Sequence, residues 1–444
     1  MILRTVSFLA VIACLVGCGG GSYQSEKGSS DNQSQDGCPG PNCVADAPPQ
    51  DLTPIPPNAI MVSNATELTA ALQSAVGGET IALASGDYGQ YTINGRMYPS
   101  MVVIRPQQNA SPVFKSIHIQ NSRFIQISGV SVLPRVASGD NVSTAVSISG
   151  QDIVFEKSMV NYIDDSSSWV ASNWLNHARD GVGVSGTRIT VRENVIKNIA
   201  FALSVDATNS LISRNKIDGF RGDGMRGLGD GTVFEYNDVR NCRQVDDNHM
   251  DGFQSWSNGP GGPGSGVVTG IVLRGNYFLE SDTPNPIVTC NLQAIGLFDG
   301  MFKDWVVENN VVVVNHWHAI SFYGAINVKI ANNTVIDPNL TDNIRPWIMI
   351  TSHKNGTSSQ NSIIRNNIAP TIDPGSGSTA DHNLVSNAGN LSQIFANPVS
   401  LDYRLKLGSI AIDAGSSVNP PLLDFLGMSR PVGAGIDIGA HEYR

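Results

Sequence analysis

From residue 150 onward the chain repeats one short phrase, apolar-x-apolar-polar-x-Asn-x-apolar. It reads Ile189-Thr190-Val191-Arg192-Glu193-Asn194, Leu211-Ile212-Ser213-Arg214-Asn215, Val233-Phe234-Glu235-Tyr236-Asn237 and Ile271-Val272-Leu273-Arg274-Gly275-Asn276. It returns as Val306-Val307-Glu308-Asn309-Asn310, Val328-Lys329-Ile330-Ala331-Asn332-Asn333 and Ile363-Ile364-Arg365-Asn366-Asn367. Alternation of apolar and polar positions is the period of a β-strand. The steps from Asn194 through Asn215, Asn237, Asn276, Asn310 and Asn333 to Asn367 are 21, 22, 39, 34, 23 and 34 residues. Three steps agree on a coil of roughly 22 residues, and the others exceed it by loop-sized insertions such as Ser257 to Gly266. The pattern predicts an all-β parallel β-helix, a solenoid in which asparagines stacked at a bend tolerate left-handed backbone and hydrogen-bond one coil away.

Counting back 14 residues from each asparagine places a second strand. It gives Asp180-Gly181-Val182-Gly183, Phe201-Ala202-Leu203-Ser204, Asp223-Gly224-Met225-Arg226 and, after an 11-residue insertion, Asp251-Gly252-Phe253-Gln254. The series continues through Gln293-Ala294-Ile295-Gly296, His318-Ala319-Ile320-Ser321 and Pro346-Trp347-Ile348-Met349. Side chains alternate along a strand, so Val182, Leu203, Met225, Phe253, Ile295 and Ile320 should point inward. Ser204, Arg226, Gln254, Gly296 and Ser321 should then point outward. Two residues further, Trp256, Phe298 and Tyr323 should form an exposed aromatic stripe suited to stacking on sugar rings, unless a loop covers them.

Thr66 to Ala75 is the one convincing amphipathic helix, and it leads into the apolar Thr80-Ile81-Ala82-Leu83-Ala84. An open solenoid end would expose strand edges and core, so this helix is expected to cap the first coil. Residues 59–444 are expected to form the β-helix. Residues 19–58 are Gly, Ser, Gln, Asp and Pro with little to bury, and read as a flexible tether.

The first 18 residues carry an apolar run from Val6 to Val16 that is too short to span a bilayer. Its end, Leu15-Val16-Gly17-Cys18, resembles the lipobox of bacterial lipoproteins. The resemblance implies a lipidated Cys18 as the mature N-terminus, with Gly19 consistent with outer-membrane sorting. An ordinary secretory signal with a chance cysteine is the alternative, and export follows from either. In an oxidising compartment Cys38 and Cys43 could pair, while Cys242 and Cys290 pair or sit separately. The formal net charge of −10, with no Lys/Arg cluster, argues against a nucleic-acid partner. It leaves room for an anionic sugar polymer meeting a locally basic groove.

The densest polar cluster is Asp246-Asp247-Asn248-His249-Met250-Asp251-Gly252-Phe253-Gln254, at the turn entering the second strand. Asp223, Arg226 and Asp230 precede it by one coil, and Lys303, His316, His318 and Tyr323 follow. His177, His249, His316 and His318 all fall at or near this turn. The acidic residues could instead make a solvated or Ca²⁺-stabilised turn, with Asp247 as the candidate ligand.

These features resemble the pectate-lyase-like superfamily of single-stranded right-handed β-helix, carbohydrate-active proteins, over about residues 59–444. The ending Asp437-Ile438-Gly439-Ala440-His441-Glu442-Tyr443 is similar to the C-terminus of many such exported proteins. Asp247-Asn248-His249 is similar to the Asp-Pro-His of mannuronan C5-epimerases, with Asn248 in place of Pro. The calcium element Asn-Gly-Gly-Glu and the Lys-Ser motif of chondroitinase-B-like lyases are absent, Arg226 standing near the Lys place. The Asp-Asp-Cys and Gly-His-Gly pair of polygalacturonases is also absent.

The resemblance implies β-elimination on a uronic-acid polysaccharide such as alginate or pectate. Arg226, Gln254 and Lys303 suit the substrate carboxylate. His249 suits the base, oriented by Asp247 or Asp251, and Tyr323 the opposing acid. Trp256, Phe298 and His318 would bind sugar. C5-epimerisation needs the same residues. Hydrolysis could use Asp223 and Asp251, at equivalent places on coils about 4.8 Å apart. A non-catalytic glycan-binding solenoid is the third reading. A monomer is the expected state.

Overall fold

The computed structural model describes residue 48 and residues 53–135 and 142–444. The signal, Cys18, the Cys38–Cys43 pair and most of the tether lie outside the described residues. Among the described residues no helix is long and apolar enough to cross a membrane.

The chain winds through parallel strands into a sheet of 21 strands and a second of 12. In the early coils single long strands, Ser116–Ser128, Thr144–Glu156 and Asp180–Arg192, turn the corner between two faces of the coil. Later coils split each such strand in two. Leu203–Val205 pairs with the first half of Asp180–Arg192, and Leu211–Ser213 with the second. The smaller sheet forms the third face. This is a right-handed parallel β-helix. The helix Ala65–Ser74 lies over the first strands, with Leu68, Ala71 and Leu72 buried and Asn64 capping its start by accepting from the Glu67 N–H.

Register on the first face follows the counting. Leu203, Met225, Phe253, Ile295, Ile320 and Ile348 are successive ladder partners, and all are buried. Burying each such side chain contributes about 1.5–3 kcal/mol. Beneath the middle coils, Phe234 meets Phe253 edge-on at 5.0 Å and Trp305 meets Phe302 and Phe322 at 5.3 and 5.9 Å. This gives the first face a stiff floor.

The marker asparagines form a buried ladder. Asn215 donates both its backbone N–H and its Nδ2 to Asn237 Oδ1, each at 3.0 Å, and Nδ2 also donates to the Val191 carbonyl. The pattern runs on through Asn276, Asn310, Asn333 and Asn367 to Asn383. One expectation needs correction. The left-handed residue is not the ladder asparagine but the one before it, such as Glu193, Arg214, Tyr236 or Asn309. A residue rotated into that conformation turns the next side chain into the bend, where the ladder compensates the strain.

At the far end the chain folds back on the third face. Phe395, Tyr403, Phe425 and Ile438 pack with Tyr277, Val311 and Ile336 in a second apolar cluster. The C-terminal stretch is structural: His441 is buried and Glu442 pairs with buried Arg430.

Candidate active site

The outward positions converge on the first face where Met225–Gly227, Met250–Trp256, Leu292–Asp299 and His318–Tyr323 lie side by side. Ladder pairing aligns Ser204, Arg226, Gln254, Gly296 and Ser321 in one row. Asp223 and Asp251 enter this face through Asp-Gly steps. At Gly224 a Cβ would lie 2.5 Å from Val239 and at Gly252 2.7 Å from Phe278, so only glycine lets these strand starts press into the coil.

His249 Nδ1 lies 3.0 Å from Asp251 Oδ2, which also accepts from Gln254 Nε2 at 2.9 Å. The Asp251 side chain is fully covered while that of His249 is 57% exposed. An ionised carboxylate only accepts, so in the neutral ring Nδ1 carries the hydrogen and Nε2 keeps the lone pair. Burial pushes the Asp251 carboxyl up to about 7, against the hydrogen bond from His249 and with the charge of Asp223 adding to the rise. The same hydrogen bond raises His249 above the ordinary imidazole value.

Asp223 is equally covered and holds Arg226, whose Nε donates to Oδ2 at 2.5 Å; burial raises its carboxyl despite the guanidinium. The Asp251 backbone N–H reaches Asp223 Oδ1 at 3.4 Å, tying the Asp223 carboxylate to the next coil. Arg226 stacks 3.9 Å over the Phe201 ring and 5.5 Å from that of Trp256, which fixes the plane of its fork.

On the far side of Gly296 stands a wall of rings. His318 lies edge-on to Phe298 at 4.8 Å and to Trp347 at 5.0 Å, and Phe298 lies edge-on to Tyr323 at 5.2 Å. Ser321 Oγ anchors it, lying 2.9 Å from His318 Nδ1 and accepting from Trp347 Nε1 at 2.9 Å. Burial pulls His316 and His318 down to about 4, so both are neutral near pH 7 and His249 is the protonatable imidazole of the group.

No protein-family model matches the chain, and no curated protein matches its sequence. Among solved structures, the pectate lyase Pel9A is 13% identical and superposes with a TM-score of 0.50 over 88% of this chain and 98% of that one. The chain has the pectate-lyase-like β-helix fold. A PL6 alginate lyase in complex with a trisaccharide is 13% identical, with a TM-score of 0.43 over 90% of this chain and 97% of that one. A mannuronic acid specific family 6 lyase from human gut microbiota is 13% identical, with a TM-score of 0.40 over 77% and 89%. At 13% identity the likeness to Pel9A is one of fold.

Within this pectate-lyase-like fold, four expectations change. Trp256 does not continue the Phe298–Tyr323 stripe: a bulge after Gln254 sets it opposite Asp299, and it joins Arg226 instead. Lys303 leaves the groove, because its strand Met301–Lys303 pairs with Val267–Thr269 and Ala325–Ile326 in a separate small sheet. Tyr323 stands two strands from His249, with Phe298 between, so it belongs to the ring wall. Asp247 is exposed, and among the described residues no three His, Cys, Asp or Glu side chains gather into a metal cluster. His177 makes its ring contacts with Tyr162 at 5.5 Å and Trp169 at 5.8 Å, not with the His249 group.

Two groups escaped the sequence. Phe201 stood at a strand start as an ordinary apolar residue. Lys354 lies in a loop beyond the register, yet its ammonium pairs with Asp299 at 2.8 Å, lies 5.9 Å from the Phe298 ring and acts on His249. It stands beside the Phe298 ring, where Lys303 was expected. Cys242 and Cys290 form a disulfide, with Cα atoms 5.7 Å apart, that ties the segment leading to His249 to the one leading to the Gly296 strand.

Proposed function

We propose that this protein is a polysaccharide lyase that cleaves a uronic-acid-containing polymer, alginate- or pectate-like, by β-elimination. The observation that carries this reading is the pairing of an exposed imidazole on a covered carboxylate, His249 on Asp251, beside a guanidinium held by a second, Arg226 on Asp223.

The hydrogen at C5 of a uronate is weakly acidic until the adjoining carboxylate is neutralised. Arg226, with Gln254, supplies charge and hydrogen bonds to that carboxylate, and Lys354 adds positive potential. His249 Nε2 takes the C5 proton, the electron pair forms the C4–C5 double bond, and the C4–O4 bond breaks. The proton on His249 can then pass to the leaving oxygen when hydrogen and leaving group share one face of the ring. Asp251 is a positioning residue that fixes the tautomer.

C5-epimerisation shares the first half and is the second reading. Hydrolysis through Asp223 and Asp251 is less well supported, because side chains 1% and 0% exposed reach a glycosidic bond poorly. Incubating the full chain with alginate, pectate, glycosaminoglycans and neutral galactans tests the proposal. Ultraviolet absorbance from unsaturated ends supports it. New reducing ends without absorbance, C5 inversion by NMR without cleavage, or binding alone would each overturn it in favour of a hydrolase, an epimerase or a binding solenoid.

Export and lipid anchoring at Cys18, on the outer membrane, belong to the same proposal. Cys18→Ser should release the protein from the membrane fraction, and retention there would remove the anchor.

A further inference from the structure

Beside the catalytic coils, toward the N-terminal end of the groove, lies an open concavity of about 460 Å³ lined by Val142, Ser143, Ala178, Arg179, Asp180 and Arg221. It belongs to the same face. Asp180 occupies the strand position taken two coils later by Asp223 and three coils later by Asp251. The Phe201 backbone N–H donates to Asp180 Oδ1 at 3.4 Å, and the Phe201 ring is the one that carries Arg226. Three coil steps put the concavity about 14 Å from the Asp251 coil.

Two guanidinium groups are built into this wall. Arg179 Nη1 donates to the Asn176 and Ala178 carbonyls at 2.9 and 3.3 Å, which holds the fork while leaving its other donors uncommitted. Arg221 makes one loose ion pair, 3.7 Å to Asp246, and its Nε is buried without a hydrogen-bond partner. That Nε is closed to solvent, so it is the solvent-reached part of the fork, 20% of the side chain, that can meet a ligand carboxylate. Asp180, whose carboxyl burial raises while Arg221, Arg226 and Arg179 act against that rise, offers an oxygen for a sugar hydroxyl on the same unit. Asp180, Asp223 and Asp251 stack along the coil axis, so a chain lying along that axis from Arg226 and His249 would reach this concavity.

We infer that Arg179 and Arg221 form a carboxylate-binding subsite for a further uronate, several units from the reacting sugar on the N-terminal side of the groove. This rests on the lyase reading and deepens it: the substrate class is a polymer of consecutive uronates, gripped by charge at two separated points. Short oligomers would span only the first.

The test uses the full chain with Arg179→Ala and Arg221→Ala combined, and circular dichroism to confirm the fold. On a long polyuronate kcat/KM should fall about tenfold, as expected for losing a charge-assisted contact, while the shortest cleaved oligomers lose little. Arg179→Lys with Arg221→Lys should recover part of the loss. An equal loss on short and long substrates, or no loss, would overturn the subsite. Binding of long polyuronate, followed by gel retardation in a His249→Ala background, separates this from the chemistry. Retardation weakened by the arginine changes supports the subsite even if no elimination is seen. Unchanged retardation removes it while leaving lyase activity standing, and absence of both cleavage and retardation overturns both proposals.

Discussion

Gly296 stands so close to Asp251 that a methyl group on it would lie 2.4 Å from the carboxylate Oδ1, and 2.6 Å from the Phe298 ring. The missing side chain is therefore the space in which the buried carboxylate sits. Gly296→Ala should displace Asp251 from His249 and lower kcat about 100-fold. The cost in stability should stay within about 1–3 kcal/mol. Kinetics and denaturant unfolding on one preparation check this; unchanged kcat would show that the carboxylate position is not critical.

His249→Ala removes the proposed base and should cost about 10²–10⁴-fold in rate with the fold retained. Because His249 lies at the surface of the groove, its loss leaves no cavity. Retained activity would take His249 out of the mechanism.

The pH profile follows from the signs of the shifts. The hydrogen bond to Asp251 favours the imidazolium, so His249 keeps its proton to higher pH than an ordinary imidazole and the basic form appears only above that point. Activity should rise with pH through a value above the usual imidazole range. In Asp251→Asn this limb should move to lower pH while the maximal rate drops, and a limb that stays put would argue that another group titrates. For stability, a carboxyl raised to about 7 favours the folded state below its unfolded value near 3.8, and that contribution is lost as pH climbs toward 7. Asp251→Asn should flatten the melting temperature across this window.

The Cys242–Cys290 bond closes 48 residues around the segment that carries His249. Cys242→Ser with Cys290→Ser should cost about 2–4 kcal/mol of stability. The activity lost should exceed that of the unfolded fraction, since the His249 turn loses its tether. Thermal melts with and without reductant, beside activity at low temperature, measure both.

Asn276 accepts from the Asn237 backbone and side chain and donates to the Phe234 carbonyl, all at 2.9–3.0 Å and fully buried. Asn276→Ala orphans these groups and should cost about 1–3 kcal/mol for each left unpaired. Chemical unfolding should register it; a negligible change would mean that water replaces the ladder.

The sequence by itself determined the coil, the buried row from Leu203 to Ile320 and the outward row of Arg226, Gln254, Gly296 and Ser321. All are periodic, and strand alternation and the asparagine bend are read within a few residues of one another. It also singled out His249 and Asp251 as neighbours, though not which acid would hold the ring. Tertiary structure alone decided that Asp251 lies buried under His249, that the bulge after Gln254 turns Trp256 toward Arg226, and that Lys354, not Lys303, reaches the groove. It likewise brought Cys290 back to Cys242. These depend on how loops of unequal length return to the solenoid, and a loop carries no period from which its return could be counted.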